Sequence, residues 1–137
     1  MGTVRNRQVS GRLDSSFVVR NNIVTLSNLI QQNSRILTSA TSTAAVGTTV
    51  HLAGQASGIR SGRVTAINVT THVNGVTLAG SKANYFSQNR DSGGPIYRNI
   101  NGSRRIVGIH ARSPRGVNNG FFVLIGNTLS TFWLEFF

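Results

Sequence analysis

Cysteine is absent from the sequence, and acidic residues are nearly so. Without cysteine, the chain can form neither disulfide bonds nor thiolate metal sites. The 137 residues include only three carboxylates, Asp14, Asp91 and Glu135, so a metal site built from carboxylates is nearly excluded. We therefore expect no metal ion and no cofactor, and any function that needs a carboxylate must use one of these three residues.

Long apolar runs are missing as well. No stretch approaches the roughly 20 apolar residues that a membrane-spanning helix needs. No apolar run follows the basic residues Arg5 and Arg7, so no signal peptide is visible. We expect no membrane span on these grounds.

Basic residues, by contrast, are abundant. Fourteen lysines and arginines give a formal net charge of +11, which favours attraction to polyanions or acidic substrates. The arginines are scattered along the chain and form no stripe interleaved with aromatic residues, the pattern typical of a nucleic-acid-binding face. We therefore expect a solvated basic surface and no nucleic-acid partner. A polyanion-binding domain is the least favoured functional alternative.

The apolar residues recur in a pattern that predicts an all-β domain. Short strands are expected at 47–52, 62–69 and 120–125, and hairpins are expected around Asn74-Gly75 and around 99–103. Short strands separated by glycine-rich turns are typical of an antiparallel barrel or sandwich.

Outside these strands the patterns are less regular. Residues 13–19 indicate a further strand, whereas residues 21–30 fit either an irregular strand or a short helical turn. Residues 31–45 are rich in serine and threonine and predict a surface connector. A short amphipathic helix is predicted at the C-terminus, capped by Gly126-Asn127. Its apolar positions are Leu129, Phe132, Trp133 and Phe136.

The stretch Asp91-Ser92-Gly93-Gly94-Pro95 has the composition expected around a nucleophilic serine. It places a serine hydroxyl after a carboxylate and before two glycines, on a turn that leads into an apolar strand. A nucleophilic serine needs an exposed Oγ, a nearby base and backbone N–H groups that can hold an oxyanion. Glycines after the serine allow the backbone of a substrate to approach closely. The alternative is a Gly-Gly-Pro turn between two strands with no catalytic role.

This stretch closely resembles the active-site serine motif of the chymotrypsin-like serine proteases of the trypsin, streptogrisin and glutamyl endopeptidase types. The resemblance implies a chymotrypsin-like antiparallel β-barrel with a short C-terminal helix. Residues 1–46 would be the end of the N-terminal barrel and an interdomain connector, and residues 47–137 the C-terminal barrel and its helix. Two-barrel enzymes of this kind commonly run to roughly 200 residues or more, so the chain is expected to be a fragment that lacks the N-terminal strands.

The same resemblance assigns roles around the motif. Ser92 would be the nucleophile, and the backbone N–H groups of Ser92 and Arg90 would form the oxyanion hole. The family usually has glycine where this chain has Arg90, and a side chain there can strain the hole. Asp14 matches the carboxylate that orients the catalytic histidine, and its alternative is an aspartate at a strand edge or turn.

The catalytic histidine is the missing part. In the family it precedes the aspartate, and no histidine precedes Asp14. His51 and His72 fall on predicted strands, where a structural histidine is expected. The chain alone is therefore expected to be inactive, either as a fragment without its histidine or as a catalytically dead relative kept for binding.

Residues 105–113 resemble the strand that lines the primary specificity pocket and pairs with the substrate backbone. The substrate-binding residues implied on it are His110, Ala111, Arg112 and Ser113. In glutamate-preferring members a histidine and a serine at the positions of His110 and Ser113 hold the substrate carboxylate. The alternative for His110 is a neutral strand histidine with a backbone partner. Phe86 is expected at the pocket base, and since it carries no carboxylate, a preference for basic side chains is not expected.

The function implied is that of a serine endopeptidase, which hydrolyses peptide bonds of a peptide or protein substrate through an acyl-enzyme at Ser92. A preference for acidic residues on the acyl side of the cleaved bond follows from His110 and Ser113. An extracellular location follows from the family alone. The alternative is a non-catalytic binding module with the protease fold.

Overall fold

The computed structural model describes residues 2–10, 13–20, 29–30, 35–36, 42–73, 76–114 and 117–126. Side chains are described at 42–72, 77–114 and 117–126, whereas in the strands before residue 42 the backbone alone is described. Within these residues there are ten β-strands. They are β1 (Gly2–Ser10), β2 (Leu13–Arg20), β3 (Leu29–Ile30), β4 (Arg35–Ile36), β5 (Thr49–Gly54), β6 (Gly58–Val73), β7 (Val76–Ala83), β8 (Pro95–Ile100), β9 (Ser103–Arg112) and β10 (Gly120–Leu124).

The last six strands close into an antiparallel barrel. Their order around the barrel is β10-β7-β6-β5-β8-β9, and β10 completes the ring by pairing with β7 on one side and β9 on the other. Strands β1 and β2 form a separate antiparallel pair, and so do β3 and β4. The predicted all-β architecture with an antiparallel barrel is therefore confirmed.

Both predicted hairpins of the barrel are present. Strand β6 ends and β7 begins at the paired residues Val73 and Val76. Strands β8 and β9 are joined by Asn101 and Gly102, whose φ angles are 50° and 81°. Positive φ at both central residues is the signature of a type I′ turn, whose twist matches that of the flanking strands.

The core fills the barrel interior and fixes which face of each strand points inward. In β5, Val50 and Leu52 are buried, whereas Thr49 is exposed, because alternate side chains of a strand point to opposite faces. Strand β10 is buried on both faces, because Phe122 joins the main cluster while Phe121 and Val123 pack with Leu78 in a second one. The main cluster comprises Ala44, Val50, Leu52, Val64, Ala83, Tyr85, Ile96, Val107 and Phe122.

The β1–β2 pair lies beside the strands that carry the second cluster. Strand β1 approaches β7, and β2 approaches both β7 and β10. In the undecided region, Leu29–Ile30 pairs with Arg35–Ile36, so the part of it that the structure describes is strand. The predicted C-terminal helix at residues 127–137 lies outside the described residues. Among the described residues, no helix is long and apolar enough to cross a membrane.

Candidate active site

The turn from Asp91 to Pro95 is fastened to β9 by reciprocal backbone hydrogen bonds. The N–H of Gly93 donates to the carbonyl of His110 over 2.8 Å, and the N–H of His110 donates to the carbonyl of Gly94 over 2.9 Å. Gly93 has a φ of 87°, a conformation that a side chain disfavours, so this glycine is needed for the turn. The two bonds hold the preceding residue, Ser92, beside the C-terminal end of β9.

The Ser92 side chain is exposed at the tip of this turn. Its Oγ donates a hydrogen bond of 2.9 Å to the carbonyl of Ala111. Among the side chains that the structure describes, no imidazole bonds to this hydroxyl. The hydroxyl is therefore accessible to a substrate, and its described partner is a backbone carbonyl.

Arg90 occupies the left-handed region of backbone space, with a φ of 78°. This conformation costs an L-residue with a side chain roughly 1–2 kcal/mol, whereas glycine would adopt it without that cost. Within the described part of the chain, the backbone N–H groups of Arg90 and Ser92 donate to no protein acceptor. Both groups are therefore available to an oxygen bound beside Ser92.

The Asp91 carboxylate, 1% exposed, is buried behind the turn in a set of donors that we call the Asp91 cage. Its Oδ1 accepts from the backbone N–H groups of Ala56 and Ser57, at 2.8 and 3.0 Å. Its Oδ2 accepts from the N–H of Gln88 at 2.9 Å and from the hydroxyl of Ser57. A Cβ at Gly54 would run into this carboxylate, so glycine in β5 makes room for the cage.

The cage keeps Asp91 ionised. Burial raises the pKa of the carboxyl, but the hydrogen bonds from Ser57, Gln88 and Ala56 together outweigh burial, and the pKa lies below its ordinary value of 3.8. Asp91 therefore ties the residues before Ser92 to the 56–57 segment and is itself shielded from solvent.

A cavity of about 150 Å³ opens beside Ser92. Its wall carries hydroxyl, amide, imidazole and guanidinium groups, and none of the described lining residues carries a carboxylate. Ser87 and Ser113 hydrogen-bond to each other through their hydroxyls. Arg112 brings a positive charge and is anchored by a 3.1 Å hydrogen bond from its Nη1 to the carbonyl of His72. The lining residues are Ser87, Gln88, Asn89, Ser92, His110, Arg112, Ser113 and Pro114.

His110 forms a buried part of the cavity wall and bonds to Tyr85. The Oη of Tyr85 and Nδ1 of His110 are 2.8 Å apart, and the two rings meet edge to face with centroids 5.5 Å apart. Burial lowers the pKa of His110 to about 4, although the nearby Asp91 carboxylate acts in the opposite direction. Burial, and to a smaller extent the Asp91 carboxylate, raises the pKa of Tyr85 far above its ordinary value of 10.0. Both rings are therefore neutral at physiological pH.

The structure brings most of the predicted site residues together. Ser92, His110, Arg112 and Ser113 line one cavity, Ala111 accepts the hydrogen bond from Ser92, and Arg90 begins the turn. The alternative for His110 is a neutral histidine whose ring bonds to the backbone. The described partner of the ring is instead the phenol of Tyr85.

None of the contacts described above involves Asp14. It lies in β2, where its backbone pairs with Val9, and its side chain is outside the described residues. His51 and His72 lie on β5 and β6, and their Nδ1 atoms bond to the hydroxyls of Ser61 at 2.7 Å and Thr77 at 2.9 Å. Both therefore have structural partners on neighbouring strands, as expected of strand histidines.

The expectation for Phe86 is wrong. Phe86 does not line the cavity; it is 42% exposed, and the guanidinium of Arg60 lies 5.3 Å from its ring centroid. Its neighbours Tyr85 and Ser87, which sequence reasoning missed, point to the core and the cavity instead. Side chains alternate between two faces along the extended segment before the motif, which could have grouped Tyr85 with Ser87. To use this signal, however, one must know which face of the segment points inward.

Comparisons with solved structures find the same fold in bacterial serine proteases. Protease A from Thermobifida fusca matches with a TM-score of 0.74 and 25% identity, over 88% of this chain and 66% of that chain. The Nocardiopsis protease NAPase matches with a TM-score of 0.72 and 25% identity, over 88% and 65%. A glutamic-acid-specific serine protease, said to use a novel histidine triad in substrate binding, matches with a TM-score of 0.77 and 20% identity, over 89% and 66%.

These matches extend over only part of the known proteases. The chain spans about two thirds of the length of the protease chains that it matches. No model of a protein family matches the sequence, and no curated protein does.

Proposed function

We propose that this chain, which has the chymotrypsin-like serine protease fold expected from its serine motif, carries the nucleophile and specificity pocket of a serine endopeptidase. The observation that carries the proposal is the shared cavity: an accessible Ser92 hydroxyl opens on the same space as His110 and Ser113. A peptide side chain held there would bring its own carbonyl carbon to Ser92.

The proposed reaction is acyl transfer. Ser92 Oγ attacks the carbonyl carbon of a peptide bond and loses its proton to a base, while the backbone N–H groups of Arg90 and Ser92 hold the oxyanion. The C–N bond then breaks, the amine leaves with a proton, and water hydrolyses the acyl-enzyme. The substrate class is accordingly a peptide or protein.

The base is proposed to be a histidine supplied by residues outside this chain and oriented by Asp14. The described partners of His51 and His72 lie on neighbouring strands, and His110 Nδ1 is occupied by Tyr85. Without its base, a serine nucleophile loses several orders of magnitude in rate. The chain by itself would then bind substrates far better than it cleaves them.

The cavity favours an acidic side chain next to the cleaved bond. Its donors are the His110 imidazole and the hydroxyls of Ser87 and Ser113, and its charge is that of Arg112. A carboxylate could accept from several of these groups at once, and charge-assisted hydrogen bonds of this kind are the stronger ones. A preference for glutamate or aspartate follows, and one of the matched proteases is described as glutamic-acid-specific. By the same family likeness, we propose an extracellular location.

Labelling with a fluorophosphonate probe tests the nucleophile. A protein extended by its upstream coding residues should be labelled at Ser92, and Ser92→Ala should abolish the labelling. Ser61→Ala is the matched control, because the Ser61 hydroxyl bonds to the His51 imidazole but lies outside the cavity. An extended protein that folds, contains an upstream histidine and stays unlabelled at Ser92 would refute the assignment.

Profiling the extended, unlabelled protein against a peptide library tests the substrate class. Cleavage should be enriched after glutamate and aspartate, and Ser113→Ala should reduce that enrichment. Equal or faster cleavage after aliphatic residues would reject the acidic preference while leaving the endopeptidase assignment intact.

A second candidate function is peptide binding without catalysis. It is favoured by the positive φ of Arg90 at the proposed oxyanion position. Calorimetry of this chain with peptides that end in glutamate would detect such binding. No affinity for any of them, together with proteolysis by the extended form, would eliminate this candidate.

A further inference from the structure

We infer that Tyr85 is a positioning residue for His110: its hydroxyl donates to Nδ1 and thereby keeps the ring proton on Nε2, the nitrogen left to face the cavity. This inference rests on the proposed function insofar as it says why His110 can hold an acidic side chain. It concerns a residue that does not itself line the cavity.

The direction of the Tyr85–His110 hydrogen bond follows from counting donors. Tyr85 is fully buried, and within the described residues its Oη has one hydrogen-bond partner, Nδ1 of His110 at 2.8 Å. A phenol has one proton to donate, and a buried donor without an acceptor is costly. If Nδ1 carried the ring proton, the phenol proton would have no described acceptor. The phenol therefore donates, and Nδ1 is the acceptor.

The consequence is a fixed tautomer of a neutral ring. A neutral imidazole has one donor and one acceptor nitrogen, so an accepting Nδ1 places the proton on Nε2. His110 is only 2% exposed and lines the cavity. Its Nε2 has no hydrogen-bond partner among the described residues, so a donor is presented to whatever occupies the cavity. The opposite tautomer would present a lone pair, which repels a carboxylate.

The packing around Tyr85 keeps its hydroxyl in place. A Cβ at Gly120 would run into the Tyr85 ring, so β10 lies directly against it, and Tyr85 belongs to the main core cluster. The other two histidines lack such a support. The hydroxyls on Nδ1 of His51 and His72 belong to Ser61 and Thr77, which are both exposed and can exchange partners with water.

The arrangement around His110 differs from the one described for the glutamic-acid-specific protease of similar fold. That protein is described as binding substrate with a histidine triad. This chain has three histidines in all, and the described contact of His110 is to a tyrosine rather than to His51 or His72. A phenol is a donor that stays protonated over the whole working pH range, so it fixes one tautomer without adding a titrating neighbour.

Nitrogen NMR of the histidine rings tests the inference on this chain without any activity. In the wild type, the His110 Nε2 should carry the proton and Nδ1 should show the shift of a hydrogen-bonded acceptor. In Tyr85→Phe, the proton should distribute over both nitrogens. Tyr97→Phe is the matched control, since the Tyr97 hydroxyl is equally buried but has no hydrogen-bond partner among the described residues, and it should leave the His110 spectrum unchanged.

Two NMR results would overturn the inference: a wild-type His110 protonated on Nδ1, or an unchanged Nε2–H tautomer in Tyr85→Phe. The wild-type spectrum needs no variant, so the inference stays falsifiable even if Tyr85→Phe fails to fold.

Kinetics of the extended protease give the second measurement. Tyr85→Phe should lower kcat/KM for a glutamate substrate about tenfold, the value of one good hydrogen bond, mainly through KM. The constant for a matched aliphatic substrate should change little, and an equal loss for both would overturn the inference. A protease with the inferred tautomer but no acidic preference would instead refute the proposed substrate class and leave the positioning role standing.

Discussion

Asp91 and His110 are both buried ionisable residues, one next to Ser92 in the sequence and one sharing its cavity, yet their surroundings favour opposite charge states. The Asp91 cage supplies four hydrogen-bond donors to a carboxylate, which remains charged. His110 has one neutral partner, Tyr85, and remains uncharged. The comparison shows that burial alone does not decide ionisation: the number of groups that stabilise the charged form does.

The two environments also serve different parts of the site. The cage fixes the backbone of the turn and is closed to substrate, because Asp91 does not line the cavity. In the Tyr85–His110 pair, His110 lines the cavity and presents a donor without a charge. A negative charge is thus kept behind the wall, while the wall itself offers hydrogen bonds and the charge of Arg112.

Replacing the charge of Asp91 should have the largest effect. Asp91→Asn keeps the shape but removes the charge and directs an NH₂ group at backbone donors, so we expect the free energy of unfolding to fall by about 4 kcal/mol. Urea denaturation at pH 7 measures it. Ser57→Ala, which removes one donor and leaves the charge, should cost only about 1–2 kcal/mol.

A loss below 1 kcal/mol for Asp91→Asn would show that the cage does not hold the turn. The same substitution should lower the pKa of His110 further, because the Asp91 carboxylate favours protonation of the imidazole. Titration of the His110 ring by NMR would detect this coupling.

The pH dependence of stability should separate the two environments. The pKa of His110 is 6.5 in its ordinary state and about 4 in the fold, so between these values the unfolded chain binds a proton that the folded chain does not. Stability should therefore be lost as pH falls from 6.5 to 4, by on the order of 3 kcal/mol. The contribution of Asp91, whose pKa lies below 3.8, should be lost only at lower pH.

Urea midpoints measured at pH 7, 5 and 4 check this window. The amide side chain in the His110→Gln variant cannot titrate, so the difference between the two stability curves isolates the contribution of His110. Parallel curves for the two proteins would contradict the assignment of a neutral buried imidazole.

Much of the barrel follows from local sequence rules, and the site follows only in part. The Asn101-Gly102 turn and the alternation of Val50 and Leu52 are local patterns that determine local structure. The motif around Ser92 predicts an exposed hydroxyl on a turn because its glycines are needed for the backbone path. Three of the four donors of the Asp91 cage lie 34 or 35 residues away, at Ser57 and Ala56, and no local pattern predicts such a contact.

The pocket wall was predictable only where one strand contributes it. Residues 110–113 follow one another on and just after β9, so a strand pattern places them together. Tyr85 and Ser87 reach the same site from a segment without regular structure, and their orientation depends on how that segment crosses the barrel. The prediction therefore placed Phe86 in the pocket wrongly, because tertiary packing decides which side chains of an irregular segment point inward.

Arg90 offers the smallest but most specific test of what the cage holds in place. Its positive φ costs roughly 1–2 kcal/mol, and glycine would remove this cost but gain entropy in the unfolded chain worth about 0.5–1 kcal/mol. Arg90→Gly should therefore stabilise the protein by about 0.5 kcal/mol in urea denaturation. Arg90→Ala, which keeps the Cβ and removes the charge, should give no such gain.

The two effects should be coupled, because strain of this kind persists only when the surroundings impose it. The cage bond from the Gln88 N–H to the Asp91 carboxylate joins residues on either side of Arg90 and so constrains its conformation. In the Asp91→Asn background the turn is released, so Arg90 can relax and Arg90→Gly should no longer stabilise. Additive effects of the two substitutions would mean that something other than the cage holds Arg90 at positive φ.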